Sequence, residues 1–369
     1  MRMNITILGA GAWGTALACH AASRHVVQLW GRDAVLMQGL RTRGENTRYL
    51  PGIALPETLG LTSDLGAALA HAGAPGGSGL LVLATPVAGL RSVAQAMREH
   101  AQANAAAVHP VAGGVEQVLI LAKGFERGSG LLPHAVLEQM FAGWAGRPAI
   151  GVLSGPSFAQ EVARGLPVAL TVASADAGLM HHAVQALHGG GMRIYASGDL
   201  IGVEVGGAVK NVLAIACGVS DGLGQGHNAR AALITRGLAE MSRLGLALGA
   251  QMETFMGLSG LGDLVLTCTG ELSRNRRVGL QLAAGKTLDR IVAELGHVAE
   301  GVPTAQTVLE LAHSRGVAMP ITAAVADLLG GRCSATDALR TLLAREPQPE
   351  AGATSAPTVE MPTKPGAQA

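Results

Sequence analysis

A lysine inside an apolar helical pattern is the residue most in need of a reason. Lys210 lies among Val205, Val209, Val212, Leu213 and Ile215, where an ammonium is costly unless it is used. Low-dielectric walls and neighbouring cations depress a lysine pKa and suit it to acid–base work near neutral pH. A lysine snorkelling from a helix margin gives the same pattern, and these residues alone leave both readings open. Lys123 follows a short apolar run. A cation there can polarise a carbonyl, pair with a phosphate, or serve only as a loop charge. Asp263 stands in Gly260-Leu261-Gly262-Asp263, ahead of Leu264-Val265-Leu266. Its carboxylate could orient a lysine and hold its charge state, or merely turn the chain.

Two further segments offer groups to a ligand. Gly155-Pro156-Ser157-Phe158-Ala159 follows another apolar run. Its backbone and the Ser157 hydroxyl can bond ligand oxygens, and the G-x-S-x-G pattern of a serine nucleophile is absent there. Ser273-Arg274-Asn275 opens a helical pattern that stops at Gly285. Ser273 suits an N-cap and Gly285 the position after the C-cap. The free N–H groups of that helix start, with Arg274 and Asn275, could hold a phosphate, or the segment could simply cap the helix.

Gly9-Ala10-Gly11-Ala12-Trp13-Gly14 fits G-x-G-x-x-G. In a chain with 52 glycines the pattern alone is weak, but its context is specific. It follows the apolar run Asn4–Leu8, opens a helical pattern and precedes a second apolar run, Val26–Trp30. Gly9 permits the tight turn, Gly11 lets backbone approach a pyrophosphate, and Gly14 lets helix and strand pack closely. This implies a dinucleotide cofactor. The second run ends Trp30-Gly31-Arg32-Asp33. NAD-specific sites usually place an acidic residue at that strand end, whereas Arg32 suits a 2′-phosphate. NADPH is therefore favoured, and Asp33 keeps NADH open.

The elements that must position these groups can be read as far as periodicity allows. Apolar runs at 4–8, 26–30, 80–84, 117–121, 149–153 and 168–172 alternate with helical patterns, the order of βαβ units and a parallel sheet. Beyond about residue 195 only helical patterns remain, at 199–219, 228–249, 274–284, 303–315, 322–330 and 334–344. The expected architecture is α/β, a Rossmann-type parallel-sheet domain over 1–194 followed by an all-α domain over 195–344. The segments 71–79 and 101–116 read as surface additions. The Pro-, Thr- and Ala-rich tail 345–369 reads as disordered.

Composition excludes several function classes. The 369 residues carry 27 Lys+Arg against 26 Asp+Glu, a formal charge of +1, so no basic excess points to nucleic acid or an anionic membrane surface. Four scattered cysteines and the lone or paired histidines show no metal-ligand spacing, and no metal is expected. No uncharged apolar run free of glycine reaches the length of a membrane span, and a cytoplasmic, reducing location is expected.

Several blocks together exceed a generic nucleotide-binding signal. They are Asn46-Thr47-Arg48-Tyr49-Leu50-Pro51-Gly52, Ala122-Lys123-Gly124, Ser154–Ala159, Gly206-Gly207-Ala208-Val209-Lys210-Asn211-Val212, Gly257–Leu264 and Ser273–Arg277. In this order and spacing, over about residues 3–344, the chain resembles the bacterial NAD(P)-dependent glycerol-3-phosphate dehydrogenase family.

The resemblance implies reversible hydride transfer between NAD(P)H and dihydroxyacetone phosphate, giving sn-glycerol 3-phosphate for phospholipid synthesis. It implies Lys210 as general acid and base. Substrate contacts would come from Lys123, Gly155, Ser157, Lys210, Asp263, Ser273, Arg274 and Asn275. Cofactor contacts would come from Gly9, Gly11, Ala12, Trp13, Gly14, Arg32, Lys123, Ala159, Arg274, Val298 and Glu300. A homodimer through the helical domain is implied in the same way. Two alternatives follow from other readings. The 3-hydroxy-acid dehydrogenases usually carry an Asn one helical turn after the lysine, whereas here Asn211 follows at once and position 214 is Ala. A non-catalytic nucleotide sensor would be expected to lose Lys210, Lys123 and Asp263.

Overall fold

The computed structural model describes residues 2–73, 79–103, 115–144, 147–295 and 299–343. Most of the 71–79 and 101–116 segments, the tail, and Val298 thus lie outside the described residues.

The first part runs β1 (Asn4–Leu8), α1 (Ala12–Ala22), β2 (Val26–Trp30), α2 (Ala34–Arg43), β3 (Glu45–Asn46), β4 (Leu50–Ala54), β5 (Gly60–Thr62), α3 (Leu65–Ala72), β6 (Leu80–Leu83) and α4 (Leu90–Ala103). It continues through β7 (Gln117–Ile120), α5 (Pro133–Met140), β8 (Ala149–Ser154), α6 (Ala159–Ala163), β9 (Val168–Ser174), α7 (Ala177–Leu187) and β10 (Met192–Ser197). Eight strands form one sheet in the order β10-β9-β8-β7-β6-β1-β2-β5, and β3 with β4 makes a separate hairpin. The central strands are apolar along their length: all four residues of β6 are buried, as a sheet covered on both faces requires. The chain order reverses between β1 and β6, which sets a crevice at their carboxyl ends.

The expected parallel sheet holds from β5 to β8, and the structure corrects it beyond that. β9 pairs with β8 antiparallel, Gly151 opposite Ser174 and Ser154 opposite Thr171. The 155–167 connection therefore stays at the crevice edge instead of crossing the sheet, and it carries only the five-residue α6. Besides the β3–β4 hairpin, two strands of the large sheet had no counterpart among the apolar runs. β5 has three residues and starts at Gly60. In β10 buried Met192 and Ile194 alternate with exposed Arg193 and Tyr195, the pattern of a strand wet on one face. The domain boundary placed between 194 and 195 falls inside β10, and the passage to helices comes at Asp199.

The second part contains α8 (Leu200–Gly222), α9 (Gly226–Ala247), α10 (Met252–Met256), a π-helical turn (Leu258–Gly262), α11 (Asp263–Thr269), α12 (Arg274–Ala283), α13 (Leu288–Leu295), α14 (Gly301–Ser314), α15 (Pro320–Leu329) and α16 (Ala335–Leu343). The short α10, α11 and α13 were not separable by periodicity. The 23-residue α8 is the axis, buried from Gly202 to Ser220. By length and composition it could span a membrane, but 89% of its apolar window is buried in the protein, so it is a core helix. Its glycines explain how neighbours come so close. A Cβ at Gly218 would stand 2.1 Å from the Arg276 carbonyl oxygen, and one at Gly279 of α12 would stand 2.1 Å from the Ile215 carbonyl oxygen. Asp199 caps α8 through Gly202 N–H at 2.8 Å and also accepts from Gln251 N–H and the Thr254 hydroxyl.

Candidate active site at the sheet edge

The glycine-rich loop divides its labour by space. Gly9 has φ +130°, and a Cβ there would meet the Ala84 carbonyl oxygen at 2.6 Å, so only glycine fits the turn between β1 and α1 where it passes the end of β6. A Cβ at Gly14 would stand 2.0 Å from the Gly9 carbonyl oxygen, which is the close helix–strand packing. A Cβ at Gly11 would meet nothing within 4 Å. Gly11 is also the N-cap of α1 and offers no side-chain cap. The first N–H groups of α1, from Ala12 onward, thus face open space with a positive helix end behind them. That cradle fits the pyrophosphate of a dinucleotide. Trp13 donates its ring N–H to the Ser157 carbonyl at 3.3 Å, tying the loop to the connection that carries Gly155, Ser157 and Ala159. Ala159 is the first residue of α6.

At the end of β2, Arg32 is exposed and makes no hydrogen bond or ion pair with the described residues. Asp33 serves as the N-cap of α2, with Oδ1 accepting from Val35 and Leu36 N–H groups at 3.0 and 3.1 Å. That cap uses one carboxylate oxygen and leaves Oδ2 for other partners.

Below the loop three charged side chains from three elements converge. Asp263, 1% exposed, begins α11. Its Oδ1 accepts from Lys210 Nζ at 2.5 Å, and its Oδ2 accepts from Lys123 Nζ at 2.8 Å. Lys210 also donates to Thr267 Oγ1 at 3.0 Å, and Lys123 reaches the Gly155 carbonyl at 3.4 Å. Sequence reasoning named all of these but Thr267, which sits one helical turn after Asp263 and carried no signal of its own. Burial pulls the Lys210 pKa down to about 8, Asp263 opposes that, and Lys123 adds to the depression. The snorkelling alternative for Lys210 is excluded, because the ammonium points inward and the residue is 7% exposed.

The start of α12 is brought to the same place by amides. Asn275 donates to Asn211 Oδ1 at 2.9 Å, and Gly301 N–H donates to Asn275 Oδ1 at 3.0 Å. Asn211 also lies 3.5 Å from Glu300 Oε2. The Asn275 side chain thus joins α8, α12 and α14. The Ser273 hydroxyl accepts from Arg276 N–H at 3.3 Å, as an N-cap does. Both side chains fix this helix start, which also presents the free N–H groups of Arg274 and Asn275. Arg274 is exposed and makes no ion pair with the described residues. Arg276 is held by Asp221 of α8 at 2.7 Å. Burial raises the Glu300 pKa, with Arg274, Lys123 and Lys210 pulling it back.

One buried pair was not foreseen. Glu204 of α8 accepts from the N–H of His134 at 2.9 Å and from its imidazole, linking α5 under the sheet to the central helix. A lone Glu in an apolar pattern gives no clue to its partner. Among the described residues, no group of three or more His, Cys, Asp or Glu side chains is arranged to hold a metal ion.

Residues 4–180 match the family model described as the NAD-dependent glycerol-3-phosphate dehydrogenase N-terminus, and residues 199–340 match that for its C-terminus. A glycerol-3-phosphate dehydrogenase [NAD(P)+] of Burkholderia orbicola is 58% identical over 348 residues, covering 94% of this chain and 100% of that one. Its counterpart from a Janthinobacterium species is 56% identical over 348 residues, 94% of this chain and 99% of that one. The crystal structure of glycerol-3-phosphate dehydrogenase from Coxiella burnetii superposes with a TM-score of 0.83 at 38% identity, covering 93% of this chain and 99% of that one. The chain therefore belongs to the NAD-dependent glycerol-3-phosphate dehydrogenase family.

Proposed function

We propose that this chain transfers a hydride reversibly between NAD(P)H and the C2 carbonyl of dihydroxyacetone phosphate, yielding sn-glycerol 3-phosphate for glycerophospholipid synthesis. One observation carries the reading: Lys210, buried with a pKa near 8, is held by Asp263 at the crevice edge. A ketone that accepts hydride becomes an alkoxide, and an ammonium can stabilise that charge and then deliver the proton. With its pKa near 8, Lys210 supplies the proton in reduction and accepts one in oxidation. NAD(P)H, when bound, supplies the hydride.

Lys123, sharing the Asp263 carboxylate, presents a second cation to the carbonyl oxygen or the phosphate. Arg274 and the N–H groups opening α12 suit the phosphate. The Gly9–Gly14 loop, Ala159 and Glu300 suit the cofactor. Arg32 favours NADPH over NADH. A nucleotide-binding part ahead of Asp199, a helical substrate part after it, a homodimer and a cytoplasmic location belong to the same reading.

The test is NADPH or NADH oxidation on adding dihydroxyacetone phosphate, with Lys210→Ala beside the wild type. Turnover lost in the variant, with NADPH binding retained, is the expected result. Turnover that survives in Lys210→Ala would keep the enzyme and overturn the acid–base assignment. A folded wild type that binds NADPH but shows no turnover would remove the dehydrogenase reading.

A further inference from the structure

The β3–β4 hairpin has no part in the chemistry above, yet it is fastened to the nucleotide loop. Asn46 is fully buried. Its Nδ2 donates to the Ala10 carbonyl at 3.0 Å and to Thr15 Oγ1 at 2.8 Å. Its Oδ1 accepts from Tyr49 N–H at 3.2 Å. One side chain thus binds the glycine-rich loop, the first turn of α1 and the tip of the hairpin into a single piece.

That tip carries Arg48 across to the end of β2. Its guanidinium lies over the Tyr49 ring at 5.1 Å and 3.8 Å from Asp33 Oδ2. Asp33 gives Oδ1 to the start of α2 and turns Oδ2 toward Arg48. Arg32 and Arg48 thus flank the Asp33 carboxylate, one by sequence and one by contact. Two guanidinium groups beside this carboxylate, near the positive end of α2, form a site for a doubly charged phosphate monoester.

We infer that Arg48, placed by Asn46, is a second specificity-determining cation for the 2′-phosphate of NADPH. The inference rests on the NADPH reading of Arg32 given above. Stacking on Tyr49 limits the freedom that Arg48 loses when a phosphate binds. Asn46 acts differently, as a positioning residue. It touches no part of the cofactor that distinguishes NADPH from NADH, so its loss should weaken both.

Calorimetric titration of the purified chain with NADPH, NADH and adenosine 2′,5′-bisphosphate tests this without turnover. Arg48→Ala should weaken NADPH and adenosine 2′,5′-bisphosphate by about tenfold or more, the scale of one charge-assisted hydrogen bond, and leave NADH within about twofold. Arg48→Lys should recover part of the loss, because a point charge replaces a fork. Asn46→Ala should weaken NADPH and NADH alike. Equal loss for both cofactors in Arg48→Ala, or no loss, overturns the role of Arg48. Arg32→Ala, run in parallel, separates the two ideas. If it lowers NADPH selectively while Arg48→Ala does not, only the present inference falls. If Arg48→Ala is selective and Arg32→Ala is not, this inference stands and the reading of Arg32 falls. If neither is selective, the 2′-phosphate preference itself falls.

Discussion

Lys210 and Asp263 are 53 positions apart in the chain and meet Nζ to Oδ1 at 2.5 Å, one from the middle of α8 and the other from the first residue of α11. The approach is possible because Gly206 lies against the Ser259 carbonyl, where a Cβ would stand 2.3 Å away. The pair fixes both the position of the ammonium and its readiness to lose a proton.

Activity should follow the Lys210 proton with opposite signs in the two directions. Reduction needs the ammonium, so its rate should fall as pH rises through about 8. Oxidation needs the free amine, so its rate should rise through the same region. Steady-state profiles in each direction would show this. A profile that bends the same way in both directions contradicts the assignment.

Asp263→Asn should shift that limb to lower pH. The carboxylate holds the Lys210 pKa up against burial and against Lys123, and an amide cannot. Two buried or half-buried ammonium groups would also lose their shared partner, at a cost of about 3–5 kcal/mol. A lower melting temperature together with the shifted limb is the expected outcome. An unmoved limb would mean that Asp263 acts only by packing.

The glycines of the nucleotide loop should separate fold from binding. Gly14→Ala forces a Cβ into backbone 2.0 Å away and should lower the melting temperature by several degrees or prevent folding. Gly11→Ala has open space, so the apo melting temperature should stay close to wild type while affinity for both cofactors drops. Unchanged affinity in Gly11→Ala would remove the pyrophosphate from that cradle.

Arg274→Ala should raise KM for dihydroxyacetone phosphate by at least about tenfold, as loss of a charged hydrogen-bonding partner does. Unphosphorylated dihydroxyacetone should be reduced equally poorly by both proteins. If the wild type keeps its advantage on dihydroxyacetone, Arg274 serves something other than the phosphate.

Burial pulls the His134 pKa down, but the hydrogen bond and charge of Glu204 outweigh it and leave it above the ordinary value. A histidine raised in the folded state contributes stability that is whole below about pH 6.5 and is lost as pH rises through the folded value. Burial raises Glu204 as well, so wild type should lose more stability than the His134→Gln/Glu204→Gln double variant as pH rises from about 6 to 8, read by denaturant titration. Parallel slopes would show that the pair does not titrate in this range.

What the sequence could show depended on how local the signal was. The six apolar runs became strands because each lies in a sheet covered on both faces. The direction of β9 was hidden, since an apolar run reads the same either way, and β10 was hidden by its alternating Arg193 and Tyr195. Lys210, Lys123 and Asp263 were each conspicuous as charges in the wrong surroundings. Their sharing of one carboxylate is a long-range fact that no spacing encodes. Asn46, Glu204 and Asn275 look like ordinary polar residues, and their partners lie at distances in sequence of 31, 70 and 64 positions. Ser273 carried two readings, and the cap is the one its hydroxyl performs.

The reversal at β8–β9 turns the central helix into a ruler. Because β9 and β10 run against β8 and its parallel neighbours, β10 delivers the chain to the edge opposite the crevice, and α8 must climb back. Lys210 is ten residues beyond Leu200, a rise of about 15 Å at 1.5 Å per residue. Gly207 is by then level with the end of β8, where a Cβ would stand 2.9 Å from Ser154 Oγ. The ammonium's height above the sheet is thus counted out in helical turns from Asp199. One residue added between Asp199 and Gly206 would swing Lys210 by about 100° away from Asp263. The count of residues along that helix is therefore part of the site.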